Sequence, residues 1–398
     1  MLCNITHRVE ESHVSRILVV GAGIVGAACA HALSAAGADV VVVDRGPVGS
    51  GTTSRGEGNI LVSDKGPGTE LDLARLSREA WLELGEELGR DVLELEEKGG
   101  VVVAASAEAL GALGSLADAQ RSAGVTALDV TDPRELEPQL RPGLAGGVLY
   151  PEDMQVQPVL AAAAMLEAAQ RRGARFLSGA EVVAGVVDGS GRLTGVRTST
   201  GEVIGADAVV NAAGTWGAQV SERLGGPVPV LPRRGFILVT EPLPPMVRHK
   251  VYSADYVANV SSSEAGLETS CVVEGTRGGT ILIGASRERV GFDATLDVEV
   301  VAALARQATE LFPFLERVNL LRVYRGFRPY CPDHLPVIGP DPRVPGLFHA
   351  CGHEGAGIGL APGTARLITH QVLGSGPLGP ESAARFTEML PDRFAEES

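Results

Sequence analysis

The sequence predicts an α/β fold in which a nucleotide-binding domain is interleaved with a second domain of mixed β-sheet plus helices. Three observations carry that reading. A buried-type strand, a glycine turn, a small-residue helix and a second strand follow one another within about thirty residues, the length of a βαβ unit. Strand–turn–helix segments of the same character recur near 206–218 and 347–373. Between them, over 227–290, the pattern becomes strand-like with Pro/Gly turns (LPRRGFILVTEPLPP, GGTILIGAS).

Taken in order, residues 1–14 are polar and irregular and read as a loose tail. Arg16-Ile17-Leu18-Val19-Val20 is apolar without alternation, as a strand covered on both faces should be. The turn GAGIVG, Gly21 to Gly26, leads into a helix over Ala27 to Ala36 that ends at Gly37. Asp39 to Val43 is the second strand, closed by Asp44. Helical periodicity over 69–88 and 107–123 flanks a strand at Gly100 to Ala105, and 125–150 reads as a strand, a short helix begun by Thr131-Asp132-Pro133 and an extended piece. A helix at Leu160 to Arg172 precedes strands near 174–178, 181–188, 192–198 and 203–210, after which Asn211 to Trp216 turns into a helix. The stretch 252–270 shows no clear period. A helix over 297–312 stops at Phe312-Pro313, and a strand at Leu347 to Ala350 precedes a helix over Gly357 to Leu373. These segments assign the nucleotide-binding domain to 15–105, 150–218 and 325–375, the second, substrate-binding domain to 106–149 and 219–324, and a C-terminal tail to 376–398.

Composition limits the function. The 398 residues carry 34 Lys plus Arg against 49 Asp plus Glu, a formal charge of −15. That balance argues against nucleic acid or an anionic membrane as the main partner, because both are held by clustered cations. Hydrophobic residues at 44% suffice for a buried core, and aromatics at 4% are too few for base-stacking platforms. Cys3, Cys29, Cys271, Cys331 and Cys351 form no CxxC pair and read as free thiols in a reducing compartment. With no leader-like apolar run at the N-terminus and no window able to span a bilayer, the expectation is a cytoplasmic protein without membrane insertion.

The GAGIVG turn carries the first chemistry. Gly21 permits the sharp turn, Gly23 lets backbone approach a pyrophosphate, and Gly26 lets helix and strand pack closely, as in a Rossmann-like unit. The pyrophosphate would rest on the helix N-terminus. Asp44, 18 residues after Gly26, is placed to accept from ribose hydroxyls. This motif alone does not separate NAD from FAD. Thr52-Thr53-Ser54 within SGTTSRGEGN adds hydroxyls and glycine amides on the same side of the sheet, and Ala213-Gly214 adds a second backbone approach. The block ACGHEGAGIGLAP adds amides that could face the pyrimidine end of a flavin, which becomes negative on reduction.

At these blocks the chain resembles the FAD-dependent amino-acid and amine oxidoreductases of the D-amino-acid oxidase type, from about Ser15 to Leu373. Besides GAGIVG and GHEGAGIGLAP, the segment YRGFRPYCPDHLPVIGP (324–340) looks like that family's G-x-R-P-x-x-x-D-x-x-P-x-I-G. The glycine-rich block resembles those of the opine, hydrogen cyanide-forming and D-hydroxyproline dehydrogenase flavin subunits, and the chain as a whole glycine and sarcosine oxidases. The resemblance implies non-covalent FAD. It implies that Ile24 and Val25 continue the glycine turn and that Asp44 and Arg45 hold the adenosine. Thr52, Thr53, Glu57, Gly58 and Asn59 would line the pyrophosphate and ring, and Val182 the adenine. Gly352, His353, Glu354, Gly355, Ala356, Gly357, Ile358 and Gly359 would cradle the isoalloxazine. Arg328, leaving a strand just before Pro329, would fork a substrate carboxylate, a task suited to a guanidinium. Where glycine oxidase has a tyrosine in the strand before the GGTILIG hairpin, this chain reads Ser270-Cys271-Val272-Val273, leaving Tyr252, Tyr256 and Tyr330 as substitutes.

Two other readings of the residues are weaker. His349, Cys351, His353 and Glu354 are metal-ligand types close in sequence, but strand alternation and the glycine turn account for them better, and no metal is expected. Cys331 does not match the spacing of a flavin-linked cysteine. The function implied is oxidative deamination of a small amino acid or N-substituted amino acid, by hydride transfer to flavin N5, with the resulting imine hydrolysed by water. The alternatives are a flavin subunit of a heteromeric amino-acid or opine dehydrogenase that passes electrons to a partner, and a non-catalytic flavin-binding subunit.

Overall fold

Arg16–Val20 is buried at every residue but its first, and Asp39–Asp44 at its four central valines. Both therefore lie inside a layered α/β arrangement. The computed structural model describes residues 15–254 and 266–394, so the N-terminal tail 1–14 and Tyr256 lie outside the described residues. Among the described residues, Arg16–Val20 is central in a six-stranded sheet. On one side follow Asp39–Asp44 and Arg175–Ser178, and on the other Ala208–Asn211, Leu347–Cys351 and Val337–Pro340. All pairings are parallel except the last. The chain moves outward in one direction from Arg16–Val20 and later resumes on its other side. The gap between the carboxyl ends of Arg16–Val20 and Ala208–Asn211 is thus a topological switch point, where open α/β sheets bind ligands.

Glycine makes this junction possible. A Cβ on Gly21, at φ +112°, would lie 2.4 Å from the Ala212 carbonyl oxygen, and one on Gly26 would lie 1.9 Å from that of Gly21. Both contacts are with backbone that cannot yield, so neither position tolerates a side chain.

The helix Ile24–Ala35 packs against Pro158–Arg171 and against Gly357–Leu373. The last of these carries Pro362 in its interior. Lacking an N–H, Pro362 leaves the Ile358 carbonyl without its helical donor. The Trp81 indole N–H, from the helix Thr69–Leu88, donates to it at 3.2 Å, and Ser77 Oγ accepts from the Gly363 N–H at 3.0 Å. One helix thus repairs the other behind the turn at 352–357.

Among the described residues the second sheet has eight strands. Leu320–Tyr330, Leu231–Thr240, Ile281–Arg287 and Glu268–Gly275 lead to Lys250–Ser253, Gly100–Ala104, Gly146–Tyr150 and Leu128–Val130. The strand Gly100–Ala104, expected on the nucleotide-binding side, pairs here with Lys250–Ser253 and Gly146–Tyr150. Its unbroken apolar run reads like a nucleotide-sheet strand because this sheet too is covered on both faces. Phe236, Leu238, Ile281 and Ile283 join a core cluster with the helix Val298–Leu311. By alternation Gly235 and Ile237 face the opposite way, toward the first sheet.

Where the two sheets meet, Asp153 is wholly buried and accepts from the Val62 N–H at 2.9 Å, the Ser63 N–H at 3.3 Å and Ser63 Oγ. Tyr252 donates to the same Ser63 hydroxyl. Burial outweighs these bonds and pushes the Asp153 carboxyl up to about 7. The folded chain therefore keeps a proton that the unfolded chain releases near pH 4, and stability is expected to decline as pH rises from about 4 to 7. Urea denaturation across that range should show the slope, and Asp153→Asn should remove it.

Candidate active site

A cleft of about 610 Å³ opens at the switch point and runs between the two sheets. Gly21, Gly23, Ile24 and Val25 form its inner wall, where the helix Ile24–Ala35 presents its N-terminus. The Ile24 N–H donates to Thr53 Oγ1 at 3.0 Å, which ties the short turn Thr52–Arg55 to the glycine turn. Asp44 closes the adjoining strand, with one carboxylate oxygen accepting from Ala22 N–H and the other from Gly46 N–H, both at 2.7 Å. It lines the cleft with Arg45, whose guanidinium lies 4.2 Å from the Trp216 ring centre, and with Val182. Ala213 and Gly214 complete this end.

At the other end, Thr52 Oγ1 donates to the Phe327 carbonyl at 2.8 Å, joining the turn to the second sheet. Glu57, Gly58 and Asn59 line the cleft beyond it, facing His353, Glu354, Gly355, Gly357 and Ile358. The expected residues Gly26, Gly352, Ala356 and Gly359 do not line it. Gly26 lies behind the turn against Gly21. Gly352 is turned toward Cys331 and Val337 at φ +79°, and Gly359 is packed on Asn59 and Ile60. Ala356 borders a separate small recess with Gly359. These four shape the cradle from behind.

His353 is buried, its Nε2 lies 2.9 Å from Thr364 Oγ1, and burial lowers its pKa to about 4, so it is neutral near pH 7. Burial opposes ionisation of Glu354, but His334, Arg233 and Arg287 outweigh it and hold this carboxyl below the ordinary glutamate value. The ligand-type side chains of this segment point apart. His349 turns to Asp341 at 3.1 Å, and Cys351 is buried with Cys331, Val228, Val230 and Val337. Burial pushes the Cys351 thiol up to about 12 and the Cys331 thiol higher still.

Arg328 lines the cleft beside the Gly355 turn and donates through Nη1 to the Ser286 carbonyl at 2.8 Å. A Cβ on Gly235 would stand 2.2 Å from that Nη1, so the guanidinium occupies the space a side chain there would fill. Tyr252 and Tyr330, the tyrosines that could assist it, are both buried. Tyr252 is bonded to Ser63, and Tyr330 lies under the guanidiniums of Arg233 and Arg289.

Sequence reasoning missed Arg233. It lies directly across the strand pair from Arg328, is 1% exposed, and donates to Glu354 at 2.6 Å and Glu268 at 2.9 Å. Two carboxylates take its two Nη groups, and of this facing pair Arg328 is the guanidinium that lines the cleft. The aromatic group Trp216–Phe292–Phe327, with centroids 5.7 and 5.4 Å apart, was also missed. Phe292 comes from a polar loop that gave no signal of its position. Arg55 lines the cleft with its Cβ above Gly326.

A helix N-terminus for a pyrophosphate, a carboxylate at the end of the neighbouring strand and an elongated cleft between two sheets suit a dinucleotide cofactor. They define the class as dinucleotide-binding proteins. The profile of the family described as FAD dependent oxidoreductase, the D-amino-acid oxidase family, matches residues 16–371, and the chain belongs to that family. Glycine oxidase of Geobacillus kaustophilus is 30% identical over 92% of this chain and 93% of its own. Its crystal structure superposes with a TM-score of 0.80, covering 93% of this chain and 99% of that one. Hydrogen cyanide synthase subunit HcnC of Pseudomonas aeruginosa is 34% identical over 65% of this chain, and the match spans 59% of that subunit's length. L-proline dehydrogenase from P. horikoshii shares the fold, with a TM-score of 0.85 at 23% identity.

Proposed function

We propose that this protein binds FAD non-covalently in the cleft and oxidises the C–N bond of a small amino acid or N-substituted amino acid to an imine, which water then hydrolyses. The observation that carries the reading is the placement of Arg328, beside the His353–Gly357 turn and in the space left by Gly235. When bound, FAD supplies the two-electron acceptor. The chain's residues supply the rest. The glycine turn and the N-terminus of Ile24–Ala35 hold the pyrophosphate, Asp44 accepts from the ribose, and Arg45 with Val182 flanks the adenine. The 353–358 turn offers backbone to the ring, and Arg328 forks the substrate carboxylate. Positioning of the Cα–H bond then accounts for most of the protein's contribution. Non-covalent attachment fits the burial of Cys331 and Cys351 in an apolar cluster outside the cleft lining.

A second reading has support from the similarity to HcnC, by name a subunit of a larger enzyme. In it the same site passes its electrons to a partner protein instead of oxygen. Among the described residues no helix is long and apolar enough to cross a membrane, and a cytoplasmic location fits this chemistry.

The purified protein is expected to show flavin absorbance bands, and acid precipitation should release the flavin into the supernatant. A panel of small amino acids and N-substituted amino acids added without oxygen should include one that bleaches those bands. Reoxidation by air would mark an oxidase, and reoxidation only by a dye acceptor a dehydrogenase. If no amino acid bleaches a flavin-loaded protein, the proposed activity is wrong.

A further inference from the structure

Glu57 is 8% exposed and lines the cleft from the wall opposite the eight-stranded sheet. Its two carboxylate oxygens have different surroundings. Oε2 accepts from Asn59 Nδ2 at 3.0 Å and lies 3.7 Å from Lys250 Nζ, which is itself 3.1 Å from the buried Glu274. Oε1 is buried and has no hydrogen-bond partner among the described residues. A buried carboxylate oxygen left unsatisfied costs about 1–3 kcal/mol or more, which a donor from a bound molecule would recover.

The sheet opposite has been cleared for this oxygen. A Cβ on Gly284 would lie 2.3 Å from Glu57 Oε1, just as one on Gly235 would lie 2.2 Å from Arg328 Nη1. The two glycines are on paired neighbouring strands, and the register Leu238 with Ile283 sets them two residues out of step. Two residues along a strand and one strand across separate these two glycines by about 8 Å, and the cation and the anion stand 2.2 and 2.3 Å from the Cβ positions there. Two hydrogen bonds of about 2.9 Å each, plus the distance between the amino and carboxylate groups of an α-amino acid, fill that gap.

We propose that Glu57 Oε1 receives an N–H of the substrate's amino group, while Arg328 holds its carboxylate. The pair then selects α-amino acids over the corresponding hydroxy acids. This rests on the Arg328 reading given above and adds to it the residue that recognises nitrogen. Asn59 and Lys250 fix Oε2, so that Oε1 is the oxygen presented. The backbone of the 57–59 turn remains available to the cofactor.

The test uses two ligands without a hydrogen on Cα, 2-aminoisobutyrate and 2-hydroxyisobutyrate, which cannot be oxidised there and differ only in nitrogen against oxygen. Their affinities for the flavin-loaded protein are read from perturbation of the flavin spectrum. A hydroxyl can also donate to Oε1 but lacks the charge of an ammonium, so the wild-type protein should prefer the amino acid by about tenfold, the margin of the more strongly charge-assisted hydrogen bond. Glu57→Gln, whose amide oxygen still accepts from a hydroxyl, should cut that preference about tenfold by weakening the amino acid more than the hydroxy acid, with flavin content unchanged. Glu57→Asp, which keeps the charge but withdraws it by a methylene, should also reduce the preference, and it decides the matter if the glutamine variant does not fold. An unchanged preference in the folded variants would overturn the assignment. So would hydroxy-acid binding without any preference in the wild-type protein, which would leave the Arg328 reading standing. If neither ligand binds the wild-type protein, both assignments fall together.

Discussion

Arg328→Ala is expected to raise KM for the carboxylate substrate by about thirtyfold to several thousandfold, with flavin content unchanged. The range corresponds to the roughly 2–5 kcal/mol lost when a hydrogen-bonded charge pair at a desolvated site is truncated. The guanidinium is set in the space left by Gly235, with one Nη committed to the Ser286 carbonyl. That bond fixes the plane of the fork, so the position recognises a planar carboxylate as well as a negative charge. Arg328→Lys should therefore be nearly as damaging, because an ammonium cannot present two parallel donors. Steady-state kinetics on the best substrate, together with the ratio of flavin to protein absorbance, checks the prediction. A wild-type KM in Arg328→Ala would exclude carboxylate binding here, and loss of flavin alone would move Arg328 to the cofactor.

The parts of this site that were legible in the sequence are those where a local motif dictates local structure. GAGIVG between two apolar strands could form little besides the turn now seen at the switch point, because Gly21 and Gly26 face backbone where no side chain fits. The helices Thr69–Leu88 and Gly357–Leu373 also match the ranges read from periodicity and breakers. Legibility fails where partners come from distant segments. Arg233 is indistinguishable in sequence from Arg234, yet alternation turns the first to Glu354 and Glu268 and the second to Glu288 and Asp293. The spacings that matter to Glu57 are with Gly284 and Lys250, more than 190 residues away in the chain, and no local pattern encodes them. Gly100–Ala104 shows a third kind of failure. A strand buried on both faces reads alike in either sheet, so its sequence specifies that it is a strand but not which neighbours it takes.

Arg233→Met should cost about 3–5 kcal/mol of stability at neutral pH, the usual consequence of removing one partner from a buried ion pair. Arg233 is 1% exposed, and its loss would leave the carboxylates of Glu354 and Glu268 facing an apolar side chain. Glu354 also holds a left-handed backbone conformation, φ +46°, in the turn that faces the cleft. A non-glycine residue there carries about 1–3 kcal/mol of strain, which the surrounding contacts must offset. Without Arg233 the turn has less reason to keep its shape, so weaker flavin retention should accompany the loss of stability. The sign with pH is distinctive. Glu354 titrates below the ordinary glutamate value in the folded chain, so its pairing contributes stability above about pH 4 that is lost as pH falls through the lowered folded value. The deficit of Arg233→Met relative to wild type should therefore be largest near pH 7 and shrink in acid, where the carboxylates are protonated in both proteins. Adding Glu354→Gln to Arg233→Met should restore part of the stability by removing the unpaired charge, a non-additive result expected only of residues in contact. Urea unfolding of the single and double variants at pH 7 and at a pH below the lowered Glu354 value measures each of these. A deficit equal at both pH values, or strict additivity with Glu354→Gln, would show that Arg233 acts through packing and that the ion pair does not hold the turn.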